Sequence, residues 1–108
     1  MIRVIIESPF ASGRGYSELE NVDYARECLR DSLSAGEAPL ASHLLYPQVL
    51  CDAKPEERTL GIDAGHAYLD VVEYVVFYID HGWSRGMLAA RKRVIERGIP
   101  FVERRLYV

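Results

Sequence analysis

The sequence predicts an α/β domain built on a mainly parallel four-stranded sheet, with elements in the order βαβαβαβ. Three observations carry this. Short runs of β-branched and aromatic residues alternate with longer helical stretches, and the connections between them are short. The length, 108 residues, leaves room for one core, and 49% apolar with 27% charged residues is ordinary for a globular domain. Residues 1–108 are therefore expected to form a single domain.

Each element has its own signal. Ile2 to Ile6 is a short apolar run and reads as a buried first strand, ended by Ser8-Pro9. Ser17 with Glu20 three residues on fits a capping box, so a first helix should run from there to about Ala35. Val22, Ala25, Leu29 and Leu33 step by three and four as its inward stripe, and Gly36 is placed to stop it. Ala38 to Ser42 reads as a second strand and His43 to Lys54 as a loop. Pro55 suits a first helical position, with Glu56 and Glu57 at the positive helix start. Leu60, Ala64, Ala67 and Val71 then form the expected buried stripe of that helix. Val72 to Ile79 reads as a central strand. Ser84 caps a last helix with Met87, Ala90 and Val94 inward; Gly98 ends it, and Pro100 to Leu106 is the last strand.

Composition narrows the function. The formal net charge is -3 with both signs interspersed, which argues against a binder of nucleic-acid backbones. No apolar run is long enough to span a membrane, and the apolar N-terminal stretch is too short for a signal peptide, so a cytoplasmic protein is expected. Cys28 and Cys51 are far apart and read as free thiols. The three histidines, His43, His66 and His81, show no metal-ligand spacing with the cysteines, so no metal and no cofactor are expected.

In parallel sheets covered by helices, ligands bind beyond the carboxyl ends of the strands. Three loops should lie there: Ser8 to Tyr16, His43 to Lys54 and Asp80 to Ser84. In the first, Ser8, Pro9 and Phe10 precede a Gly-Arg-Gly turn whose Arg14 can meet a phosphate. In the second, His43 and Tyr46 can stack on a base or bond a sugar. After the third, Ser84, Arg85, Gly86 and Met87 open a helix whose free N–H groups favour an anion. Glu7 and Asp80 would end neighbouring strands if the second strand lies outside the first. Two carboxyls at one pocket can divide acid and nucleophile roles, as in glycosidic cleavage. The alternative for each feature is structural: a surface loop, a packed histidine, a helix cap, or a carboxylate accepting loop N–H bonds.

Several of these residues resemble the nucleoside 2-deoxyribosyltransferase-like superfamily. The first strand ends in Ser8-Pro9-Phe10, and the helix after it contains Asn21 and Tyr24-Ala25. A hydrophobic strand is followed by Asp80, Gly82, Ser84 and Gly86. The stretches Gly36-Glu37-Ala38-Pro39, Ser42 to Tyr46, Pro55 to Arg58 and Ser84 to Met87 resemble small phage- or prophage-type members. The resemblance implies a three-layer, Rossmann-like (flavodoxin-like) fold, a nucleoside- or nucleotide-like ligand and homo-oligomers. It also implies cleavage of N-glycosidic bonds by a glutamate four residues after the motif glycine. Counted from Gly86, that position is Ala90, which cannot attack an anomeric carbon. The resemblance thus divides into an enzyme, an N-glycosidase or deoxyribosyltransferase using Glu7 or Asp80, a binding protein that sequesters a nucleotide-derived metabolite or signal, and an interaction protein with a vestigial pocket.

Overall fold

The computed structural model describes residues 1–107 and shows an α/β fold with a four-stranded, all-parallel sheet. The strands are β1 (Ile2–Glu7), β2 (Glu37–Leu40), β3 (Tyr74–Tyr78) and β4 (Phe101–Arg104), in the order β2-β1-β3-β4. The helices are α1 (Glu18–Ser34), α2 (Ser42–Leu45), α3 (Pro55–Ala67) and α4 (Arg85–Glu96). β2 does lie outside β1, so Glu7 pairs in register with Phe77 on the central strand.

Alternation along β1 and β3 sends side chains to two cores. Val4, Ile6, Val76 and Tyr78 face α1, which covers them with Tyr24 and Cys28. Ile5, Val75 and Phe77 face α4, which contributes Met87, Ala90 and Val94, the inward face expected. The capping box forms in both directions: Glu20 N–H donates to Ser17 Oγ, and Ser17 N–H donates to the Glu20 carboxylate. Gly36, at φ 83°, turns the chain out of α1 in a conformation that side chains resist.

Four expectations are corrected. The inward stripe of α1 is Asn21, Tyr24, Ala25, Cys28 and Ser32; Leu33 points outward. The true face is offset by about one residue because Asn21 and Ser32 are buried polar groups with partners, which an apolar count passes over. The segment 43–54 is not all loop: α2 and a 3-10 turn at Tyr46–Gln48 occupy its first part, started by the Leu44 N–H bond to the Ala41 carbonyl. The stripe expected for α3 is also wrong, since Leu60, Ala67 and Val71 are exposed. The helix instead lays its glycine side on the preceding turn; a Cβ on Gly65 would stand 3.2 Å from Ser42 Cβ. Lastly, β2, β3 and β4 are shorter than the apolar runs that announce them.

A buried ionic cluster closes the α1 side. Glu37, 2% exposed, accepts from Ser32 Oγ at 2.7 Å, from the Tyr74 hydroxyl, and from both terminal nitrogens of Arg104 at 2.8 and 3.0 Å. The Arg104 hydrogen bonds lead in holding the Glu37 carboxyl down at about 2. Cys28 is buried and Cys51 exposed, both as free thiols. No helix of the described residues is long and apolar enough to cross a membrane.

Candidate functional site

A cleft of about 760 Å³ opens at the carboxyl ends of β1 and β3. That is a volume typical of small-molecule sites, roughly 300–1,000 Å³. Its walls come from the loop after β1, the start of α1, one side of α3, the turn after β3 and the first turns of α4.

Glu7 ends β1 inside this cleft and is 7% exposed. Among the described residues it forms no ion pair. Burial, with nothing opposing it, pushes its carboxyl up to about 7. A carboxyl poised near neutrality can both give and take a proton at working pH.

The loop after β1 is shaped by its own backbone and by α1. Gly13 and Tyr16 exchange backbone hydrogen bonds of 2.9 and 3.0 Å, and Arg14 between them takes φ 57°. Asn21 Nδ2 donates to the carbonyls of Phe10 at 3.2 Å and Ala11 at 3.1 Å, tying the loop to α1. Tyr16, His81 and Tyr24 form a three-ring stack, with centroids 3.8 Å and 4.0 Å apart across His81. The stack fastens the first loop to the turn after β3. Gly82 in that turn has φ 78°, and a Cβ there would collide with the Arg14 guanidinium. Glycine therefore lets Arg14 lie flat over the turn and keep its place in the cleft wall.

The first turn of α4 supplies the opposite wall. Ser84 Oγ accepts from Met87 N–H at 3.1 Å and so serves as the helix cap. Ser84, Arg85, Gly86 and Ala90 line the cleft, as do Pro9, Phe10 and Arg14. Arg58 joins from α3, paired loosely with Asp52 at 3.8 Å. The lining thus carries Arg14, Arg58 and Arg85 against the carboxyls of Glu7 and Asp52, an excess of guanidinium groups that favours an anionic ligand.

Other expected site residues lie elsewhere. Met87 is corrected from ligand contact to core: it is 1% exposed and packs with Ile5 and Phe77. Ser8 is 3% exposed and outside the cleft lining. His43 and Tyr46 line a smaller recess beside the cleft, where His43 stacks on Phe10 at 5.2 Å. Burial brings His43 down to about 4, so it is neutral at physiological pH. Phe10, Asp52, Arg58 and Ile62 are shared by recess and cleft.

Asp80 does not line the cleft with Glu7. Its carboxylate accepts from the Tyr24 hydroxyl at 2.5 Å and from the backbone N–H groups of Leu106 and Tyr107 at 2.9 and 3.0 Å. Burial would raise its carboxyl, but these donors outweigh it and hold the group below the usual carboxylate range. It clasps the segment after β4 and lies outside the cleft lining. Conversely, Asn21, His66 and His81 line the cleft without having been singled out for it. For Asn21 a signal existed, a polar side chain in register with Tyr24, Ala25 and Cys28 on a helix face that had to be inward. For His66 none did, because it depends on how α3 docks. Among the described residues, no group of three or more His, Cys, Asp or Glu side chains is placed to hold a metal.

The chain belongs to a family described as domain of unknown function (DUF7768), whose model matches residues 2–104. Its fold is similar to that of a solved 2-deoxyribosyltransferase from the psychrotolerant bacterium Bacillus psychrosaccharolyticus. The TM-score is 0.65 at 17% sequence identity, covering 95% of this chain and 72% of that one. That likeness carries the fold. No curated protein matches the sequence.

Proposed function

We propose that this member of the DUF7768 family binds a nucleoside- or nucleotide-like molecule in the cleft at the carboxyl ends of β1 and β3. The observation that carries the reading is the cleft's composition: an unpaired buried carboxyl, Glu7, lines the same cleft as Arg14, Arg58 and Arg85. The guanidinium groups and the free N–H groups at the start of α4 suit a phosphate. Phe10, which also lines the cleft, offers an aromatic surface to a flat base. The transferase-like fold supports the same ligand class.

A second reading, N-glycosidic cleavage, is favoured by Glu7 itself. With a carboxyl near 7, it can protonate a departing base or take a proton from an attacking water. Ala90 presents only a methyl group to the cleft, so no covalent intermediate forms at that position. In this reading cleavage runs through Glu7, since Asp80 is engaged elsewhere.

Calorimetric titration with nucleosides and their 5′-monophosphates, followed by chromatography for free base, tests both readings. Binding with a preference for the monophosphate, weakened about tenfold by Arg85→Ala, is the expected result. The absence of binding to every member of the series would sink the proposal. Release of base that persists in Glu7→Gln would overturn the role given to Glu7.

A further inference from the structure

Residues 13–15 all take positive φ, 147° at Gly13, 57° at Arg14 and 89° at Gly15. Among the described residues Arg14 is the single one other than glycine to do so. A side chain in that region is strained, and the strain persists only where the surroundings hold it in place. Here they do. The backbone bonds between Gly13 and Tyr16 close the turn, and the Tyr16 ring lies on His81. Residues strained in this way cluster at ligand clamps, so Arg14 calls for a reason to stand where it does.

The reason lies in the turn after β3. A Cβ built on Gly82 would overlap Arg14 Nη2 and stand 3.2 Å from Cζ and 3.4 Å from Nη1. The guanidinium thus occupies the place that a side chain of residue 82 would fill. Two fastenings hold this seat under the arginine. Gly82 N–H donates to the Ile79 carbonyl at 2.9 Å, which closes the turn. The Tyr16–His81 stack ties the two turns together, through residues close in sequence to Arg14 and to Gly82. Arg14 lines the cleft, is exposed, and forms no ion pair among the described residues. The other two guanidinium groups of the lining are less prepared. Arg58 is drawn toward Asp52 at 3.8 Å, and Arg85 is an exposed residue at the start of α4. An arginine already held in place loses little rotamer freedom when it takes an anion, so more of the bond's strength appears as affinity.

Resting on the binding reading above, we propose that Arg14 is the residue that sets the preference for a phosphorylated ligand, and that Gly82 is its positioning residue, free of a side chain so that the guanidinium stands ready for the phosphate. A guanidinium carries five N–H donors, and Gly82 offers it no side-chain acceptor, so the fork remains available to phosphate oxygens. The overlap at Gly82 is with the far end of a flexible side chain. A larger residue there therefore displaces the guanidinium rather than the backbone.

The test is calorimetry with adenosine 5′-monophosphate and adenosine, read as the ratio of their affinities. Arg14→Ala should lower that ratio about thirtyfold, more than the loss expected of Arg85→Ala. Gly82→Ala should lower it by nearly as much. In the Arg14→Ala background the same glycine substitution should lower it no further, since no guanidinium is left to displace. Gly82→Asn, whose side chain tolerates a positive φ better, should behave as Gly82→Ala does and replaces it in the test if the alanine variant fails to fold. An unchanged ratio in the folded Gly82 variant would overturn the positioning role. So would an equal effect of the glycine substitution with and without Arg14, the behaviour of a glycine needed only for its backbone. A smaller effect of Arg14→Ala than of Arg85→Ala would overturn the choice of Arg14. Each of these results leaves nucleotide binding intact. If neither compound binds the wild-type protein, this proposal falls together with the binding reading.

Discussion

Replacing Glu7 by glutamine should make the protein more stable at alkaline pH and change little at acid pH. Burial lifts the Glu7 carboxyl from its ordinary 4.5 to about 7, so the folded state holds a proton that the unfolded chain has released. A raised carboxyl contributes stability that is complete below the unfolded value and is lost as pH rises through the folded one. The window is therefore pH 4.5 to about 7. At about 1.36 kcal/mol per pH unit, the interval amounts to roughly 3 kcal/mol. Glutamine has the shape of the protonated acid and no charge to bury. Urea denaturation from pH 4.5 to 8.5 should show the variant equal to the wild type at the acid end and about 3 kcal/mol more stable above pH 8. His43, His66 and His81, all held below the ordinary histidine value by burial, contribute with the opposite slope in both proteins. The difference between the two proteins therefore isolates Glu7. A gap that stays constant across the range, or a variant weaker at pH 8, would refute the claim that Glu7 is buried without a partner.

Two further substitutions test the surrounding frame. Asp80→Ala removes the acceptor for Tyr24, Leu106 and Tyr107 and should cost about 3 kcal/mol in urea denaturation. Nucleotide affinity of the folded variant should stay within about twofold, because Asp80 lies outside the cleft lining. Arg104→Met strands the Glu37 carboxylate and should cost about 3–5 kcal/mol at pH 7. Glu37 is lowered to about 2, so its contribution is present above pH 4.5 and is lost as pH falls toward about 2. The deficit of Arg104→Met, followed by denaturation at pH 7 and at pH 3, should accordingly shrink in acid.

The fold was legible because its strands and caps are local signals. Ile2 to Ile6, the Ser17/Glu20 box, Ser84 and the run before Asp80 each state their element within a few residues. The two misplaced helix faces have two different physical causes. Asn21 and Ser32 are inward because specific partners pay their desolvation, the Phe10 and Ala11 carbonyls for one and Glu37 for the other. Gly61 and Gly65 are inward because they are small. Neither reason shows in a count of apolar residues. At the site, Glu7 was legible as a carboxyl at the end of a buried strand. That Asp80 turns from the cleft was not, because its partners Leu106 and Tyr107 lie 26 and 27 residues away. The approach of His66 to the cleft depends likewise on tertiary docking.

The place of β1 between β2 and β3 sets the order in which the protein can be completed. The first strand is synthesised first, yet its two partner strands are Glu37–Leu40 and Tyr74–Tyr78. Until residue 78 has left the ribosome, one edge of β1 stays without its ladder, and at translation rates of about 5–20 residues per second that interval lasts some seconds. The Glu7 end of the strand, the floor of the cleft, is then the last part to be enclosed. A nascent chain halted before β3 carries an open strand edge of the kind that recruits other chains, so the site's assembly and the protein's escape from aggregation depend on the same late pairing.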